Sequence, residues 1–255
     1  MKKISIVIPA LNEEKGIGPV LQEIPLQALH DLGYETEVLV IDNGSTDRTP
    51  HIAREHGATV VTQSERGYGN AYKAGFAKAS GDIIATGDAD LTYPFAILPE
   101  TILKMEQENL DFINTDRLTH LQKDAMSFSH RIGNTFLTAM IRLLFGWPFH
   151  DSQSGMWIFR RDMWKKLYVT SSGMPFSQEL KIEAYRRGFK CAEIPITYRS
   201  RVGKEKLHTI QDGIGNTVHL MKKKFLVSMS KMNVSSDTAS SKFSVMVFLQ
   251  RKKVQ

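Results

Sequence analysis

Cysteine is nearly absent: Cys191 is the single thiol in 255 residues. It makes no internal disulfide, and no group of Cys and His has zinc-site spacing, so the chain reads as a protein of a reducing compartment. Long apolar runs are also missing. After Met1-Lys2-Lys3 the first apolar stretch, residues 4–8, ends at Pro9. That is too short for a signal-peptide core and far short of the ~20 residues that span a bilayer. The stretch at 243–249 is too short for the same reason. No internal repeat is visible, and charge is not one-sided: 33 Lys and Arg against 27 Asp and Glu leave +6. No nucleic-acid-binding motif or aromatic–basic interleaving accompanies that excess, so no nucleic-acid partner is expected. With 42% hydrophobic and 24% charged residues, disordered, collagen-like and polytopic membrane chains are excluded. The clusters Lys222-Lys223-Lys224 and Arg251-Lys252-Lys253 read as solvated ends. Attraction to anionic headgroups, at ~1 kcal/mol per basic residue, is the competing reading.

What is present is an alternation. Residues 4–9, 38–41, 59–62 and 83–86 are short and β-branched, as strands buried on both faces are. Helical stretches are predicted at 15–32, 47–56, 69–79 and 95–108. The pattern implies an α/β fold with a mostly parallel, doubly wound sheet. Further on, strands are expected at 112–115, 156–159 and 192–198, the last at an edge because it carries Pro195. Helices are expected at 127–145 and 177–187. Residues 1–227 read as one domain and 228–255, rich in Ser, Thr, Asn and Asp at first, as a mobile tail.

Ligands of such sheets bind beyond the carboxyl ends of the strands, and there the acidic motifs fall. Asn12-Glu13 follows the first strand, Asp42-Asn43-Gly44-Ser45-Thr46-Asp47 the second, Asp88-Ala89-Asp90 the fourth. In extended chain, residues two apart share a side, so Asp88 and Asp90 can face one ligand with hard oxygen donors suited to Mg2+ or Mn2+. Gly44, Ser45 and Thr46 are explained by a strand–turn–helix junction; Asp42 is not, and can accept hydrogen bonds from a base or ribose. Gly67-Tyr68-Gly69 lacks both the Walker lysine spacing and the three-glycine fingerprint, so it is a weak phosphate signal. Glu179 reads as structural, Trp157, Phe159 and Trp164 as core, and His130 and His150 are not assigned as ligands.

Pro9-Ala10-Leu11-Asn12-Glu13, the Asp42 and Asp88 motifs and Asp151-Ser152-Gln153-Ser154-Gly155 together resemble the ordered motifs of family-2 glycosyltransferases. More narrowly the chain resembles the dolichol-phosphate (polyprenyl-phosphate) mannose or glucose synthase branch, with Arg117, Arg131 and Arg201-Val202-Gly203-Lys204-Glu205-Lys206-Leu207 as further matches. The resemblance spans residues 3–225 and implies a GT-A nucleotide-sugar-binding domain. It implies Pro9, Leu11, Glu13 and Asp42 around the nucleotide, and Asp88 and Asp90 on the diphosphate and its Mg2+ or Mn2+. Arg201, with Lys206, would close over the diphosphate; Arg117 and Arg131 would hold the acceptor phosphate; Asp151 would lie near the reacting sugar. Asp90, Arg201 and Asp151 are therefore the expected catalytic residues. Two positions depart from the pattern: Asn43, where many relatives carry a second Asp, and Thr92, where some carry Gln.

The resemblance implies hexose transfer, with inversion, from GDP-mannose or UDP-glucose to dolichyl or polyprenyl phosphate. The enzyme would be peripheral at the cytoplasmic face of a membrane, and a membrane-protein partner is compatible with it. A family-2 transferase acting on a glycan or soluble acceptor, and a non-catalytic nucleotide-sugar-binding protein, are the alternatives. Residues 132–149 carry many apolar side chains with Arg142 among them. They read as a core-facing amphipathic helix in preference to an interfacial one.

Overall fold

The computed structural model describes residues 1–123, 125–203 and 213–225. The strands are β1 (Lys2–Ala10), β2 (Tyr34–Asp42), β3 (Thr59–Thr62), β4 (Ile83–Thr86), β5 (Phe112–Leu121), β6 (Trp157–Arg160) and β7 (Cys191–Tyr198). They form one sheet in the order β3-β2-β1-β4-β6-β5-β7. β6 runs antiparallel to both its neighbours and every other pair is parallel. The helices are α1 (Ile17–Glu23), α2 (Leu26–Asp31), α3 (Thr49–Glu55), α4 (Tyr68–Lys78), α5 (Leu98–Gln107), α6 (Phe128–Phe145), α7 (Arg161–Trp164) and α8 (Phe176–Arg186). A 3-10 turn, Phe95–Ile97, leads into α5, and residues 213–225 are helical. The chain divides into two units, Met1–Asn216 and Thr217–Gln255. The expected tail at 228–255 lies outside the described residues.

Alternation along the strands sends side chains to two faces. On one face Ile4, Ile6, Ile8, Val40 and Ile158 pack with Ile17 and Val20 of α1, Leu29 of α2 and Ile102 and Met105 of α5. On the other, Val7, Leu39, Ile41, Trp157 and Phe159 pack with Tyr72 and Phe76 of α4 and Phe176 and Leu180 of α8. Trp157 and Phe159 are fully buried core, as expected, with Trp164 packed against them. β7 is indeed an edge strand.

Two expectations are corrected. The helical stretch at 15–32 is broken: Ile24 turns extended (ψ 121°) before Pro25, and α2 starts afresh at Leu26. Proline lacks the N–H that a continuous helix needs and disfavours helical geometry in the residue before it. The second concerns α6, which buries only Leu137, Thr138 and Ile141. Phe128 is 78% exposed and Leu143 86%, with Ile132 and Phe136 more than half exposed. The i, i+4, i+8 spacing of Phe128, Ile132 and Phe136 makes a ridge turned away from the core, so the core-facing reading fails for that face.

Candidate active site

Parallel register sets the ends of β1, β2 and β4 at one edge: Ala10 pairs with Asp42 and Val7 with Thr86. The loops after them are sewn together. Asn12 takes a left-handed turn (φ 51°), its N–H donates to Ser45 Oγ (2.9 Å) and its Oδ1 accepts from Thr46 N (2.7 Å). Glu13 N–H donates to Thr49 Oγ1 at 2.7 Å, and Asp42 Oδ1 accepts from Ser45 N at 3.0 Å. Asn43, the departure from the family pattern, has a structural role. Its Oδ1 accepts from Gly67 N (2.8 Å), while its Nδ2 donates to the carbonyls of Gln63 (3.2 Å) and Glu65 (2.9 Å). An aspartate would lose both donated bonds.

Asp90, in the loop after β4, is buried. Its Oδ1 accepts from Thr92 N (3.1 Å) and Thr92 Oγ1 (2.6 Å), which gives the second departing residue a local task. Its Oδ2 lies 3.1 Å from Arg201 Nη2, and the same nitrogen is 3.0 Å from Glu13 Oε1. Residues far apart in sequence thus meet over the loop, which Val202 N–H also ties at Asp90 O (2.9 Å). Arg201 Nε is buried without an acceptor among the described residues. Burial, and then the Asp90 charge, pushes the Asp88 carboxyl up to about 7, against the pull of Arg117 and Arg201. Carboxylates forced together in a desolvated corner are suited to a hard divalent cation, so this donor set fits Mg2+ or Mn2+. The corner is shaped by glycines: a Cβ on Gly16 would stand 2.4 Å from Ala89 O, and one on Gly155 would stand 2.7 Å from Tyr68 OH and 3.6 Å from Asp88 Oδ1.

Arg117 and Asp151, expected in separate roles, form one ion pair. Arg117 Nε and Nη2 meet Asp151 Oδ2 and Oδ1 at 2.6 and 2.9 Å, and the Arg117 N–H adds a third bond at 3.1 Å. The side chains are 9% and 0% exposed. Burial alone would raise the Asp151 carboxyl; the Arg117 charge and hydrogen bonds, with Lys181 behind them, hold it below the usual range. Arg131 is elsewhere, on the exposed side of α6, in an open groove of about 380 Å3 with Phe128, Ile132, Thr135, Phe136 and Ala139. Pro9 and Leu11 are half-buried at the end of β1. Lys206 lies outside the described residues.

The Gly67-Tyr68-Gly69 helix start is covered: Asn70 N–H donates to Ser172 O at 3.1 Å. A Cβ on Gly67 would be 2.4 Å from that oxygen, and one on Gly69 would be 2.5 Å from Ser171 O. The glycines admit a crossing backbone segment, which Glu179 holds through the N–H groups of Thr170 and Ser171. Sequence reading did not find Asp116, His150 and Glu193 as a group. One donor atom of each lies within 4.8 Å of the others, an arrangement able to hold a metal. Their carboxylates are already engaged, Asp116 with the amides of Leu118 and Thr119, and Glu193 with Asn114 Nδ2 and the amides of His150 and Asp151. Pairing of β5 with β7 brings Asp116 and Glu193 together and the segment before β6 adds His150; no local spacing marks the group.

Residues 5–168 match the model of glycosyl transferase family 2. The chain is 39% identical over 212 residues to the low-salt glycan biosynthesis hexosyltransferase Agl6 of Haloferax volcanii, covering 82% of this chain and 51% of that protein. It therefore spans about half the length of that relative. It is 35% identical over 218 residues to the dolichyl-phosphate hexose transferase of the same organism, covering 84% of this chain and 92% of that one. A crystal structure of Mycobacterium tuberculosis glucosyl-3-phosphoglycerate synthase with UDP superposes with a TM-score of 0.72 at 23% identity, over 88% of this chain and 80% of the other. That likeness is one of fold, the GT-A fold with its seven-stranded sheet. On its motifs, their meeting at one sheet edge and the extent of the match, the chain belongs to glycosyl transferase family 2.

Proposed function

We propose that the chain transfers a hexose from a nucleotide diphosphate sugar, GDP-mannose or UDP-glucose, to dolichyl or polyprenyl phosphate, with inversion. It would work as a peripheral protein at the cytoplasmic face of a membrane. The observation that carries this reading is the joining of Glu13 and Asp90 through Arg201 at the strand edge, beside Asp88. The match to a dolichyl-phosphate hexose transferase along 92% of that protein supports the acceptor.

An acceptor phosphate is already anionic at neutral pH, since its second pKa is near ~6, so no strong general base is required. The harder tasks are to bring two anions together and to stabilise the leaving diphosphate. Asp88 and Asp90 would hold Mg2+ or Mn2+, which supplies positive charge to the diphosphate oxygens. Arg201 orients the same group and offers its unpaired Nε, with Lys206 assigned to the same task. Asp42, Pro9, Leu11 and Glu13 would border the nucleoside. Arg131, with an exposed arginine fork that can bind two phosphate oxygens, would draw in the acceptor phosphate. Arg117, whose Nε and Nη2 are engaged by Asp151, would add its positive charge and its Nη1.

The apolar ridge of α6 beside Arg131 supports contact with lipid. No described helix is long and apolar enough to cross a membrane, so this face is the proposed means of reaching the acceptor. Incubation with radiolabelled nucleotide sugars and a short polyprenyl phosphate tests the reading, with label expected in the organic phase. Label on a soluble glycan, or nucleotide-sugar binding without transfer, would replace it with one of the alternatives.

A further inference from the structure

The 151–155 turn serves two parts of this site. Its first residue, Asp151, fixes the Arg117 guanidinium; its last, Gly155, stands against Tyr68, Tyr93 and Asp88. Beneath the middle of the turn lies a lysine of α8. Lys181 is 1% exposed. Its Nζ donates to Ser152 O at 2.8 Å and to Ser154 O at 2.6 Å, and lies 5.7 Å from the Trp157 ring centroid. At its first residue the turn is also held by charged groups, Glu193 Oε1 accepting from Asp151 N and Arg117 on the Asp151 carboxylate. At Ser152 and Ser154 the other bonds come from uncharged groups, Ser177 Oγ and Trp157 Nε1 donating to Ser154 O and Thr138 Oγ1 accepting from Ser152 N.

A buried ammonium is costly unless it is well paired. A methionine of similar length would fill the same space in a core that already contains Leu180 and Ala184. The lysine directs its compensating bonds at two carbonyls of one turn. Burial pulls its ammonium down to about 7 even with Asp151 favouring the charge.

We infer that Lys181 is a positioning residue for sugar transfer, anchoring the turn that sets Arg117 toward the acceptor and borders Asp88. The inference rests on the acceptor role proposed above for Arg117. Glu13, Asp42 and Arg201 sit on other loops, and the turn reaches the donor residues only where Gly155 stands against Asp88, so nucleotide binding should weaken far less than acceptor binding when the turn loosens.

The test uses the full chain carrying Lys181→Met and, separately, Lys181→Gln, which keeps a shorter donor. Amide exchange over 151–157 is read by mass spectrometry, UDP and GDP binding with Mn2+ by calorimetry, and acceptor KM with a short polyprenyl phosphate. For the folded Met variant we expect exchange at least tenfold faster in the turn, nucleotide affinity within threefold of wild type, and acceptor KM raised tenfold or more. The Gln variant should fall between the two. Unchanged exchange overturns the inference, as does faster exchange with unaltered acceptor KM. Parallel loss of donor and acceptor binding, or failure of both variants to fold, makes Lys181 merely structural and overturns it too. Wild-type protein that transfers no sugar to polyprenyl phosphate refutes the proposed acceptor instead, and the exchange measurement then still decides the anchoring.

Discussion

Gly16→Ala isolates how the first loop supports the acidic one. Gly16 has φ −98° and ψ −36°, ordinary helical geometry, so alanine meets no backbone strain there. The obstacle is steric. The new Cβ would lie 2.4 Å from Ala89 O and 3.1 Å from the Asp90 Cα, where ordinary contact begins at 3.4 Å. About 1 Å of movement must be found, and Ala89 is a backbone carbonyl between the two aspartates. Overpacking of this kind costs about 1–3 kcal/mol. At about 2–4 °C per kcal/mol for a domain of this size, Tm should fall by roughly 2–12 °C. A misplacement of ~1 Å at a reacting centre costs on the order of a hundredfold in rate. Scanning calorimetry and kcat/KM for sugar transfer with Mn2+ measure the two effects. A folded variant with turnover and Mn2+-dependent nucleotide binding within twofold of wild type would refute the claim that this contact sets the Asp88–Asp90 loop.

Asp90→Ala should cut metal-dependent turnover by roughly a hundredfold or more while circular dichroism stays native; near-normal turnover removes Asp90 from the proposed metal site. Arg131→Ala should raise the KM for acceptor lipid more than that for donor sugar, whereas equal changes would place it elsewhere. Asn43→Asp forfeits its bonds to Gln63 O and Glu65 O, and at ~1 kcal/mol for each lost bond Tm should drop by several degrees. Glu37, on β2 away from the acidic loops, offers a test by pH. Burial opposes its charge, but hydrogen bonds from Ser5, Ser80 and Lys3 win and lower its carboxyl from 4.5 to about 2. Between those values the unfolded chain binds more protons, so this stabilisation is complete above about 4.5 and lost as pH falls toward 2. Urea melts should show Glu37→Gln about 2–3 kcal/mol less stable at pH 7, with the gap closing in acid; a gap independent of pH would count against it.

Much of the frame was legible because strands and helices announce themselves by period. The strands at 59–62 and 83–86 fall where β-branched runs predict them, and Pro195 does mark an edge strand. The helix boundary at Pro25 was legible in principle but lost in a stretch whose apolar residues keep helical spacing on both sides of it. For α6 the periodicity was visible and the direction was not: an amphipathic pattern says that one face is apolar, not what that face meets. The ion pair of Arg117 with Asp151 could not be read at all, since it depends on β5 and the segment before β6 lying side by side. The same holds for Lys181, which in sequence is one more polar residue in a polar helix.

The amino-acid order on its own determined the kind of fold and the placing of its acidic motifs just after strands. Those follow from local chemistry, the alternation of apolar runs with turn and cap residues, and parallel strands then bring their ends to one edge. Tertiary structure alone decided the partnerships: Arg201 bridging to Glu13 and Asp90, Arg117 spent on Asp151, and Lys181 beneath the turn. A buried charge is settled by whichever opposite charge or carbonyl the packed chain delivers within about 3 Å, and no spacing along the chain encodes that distance.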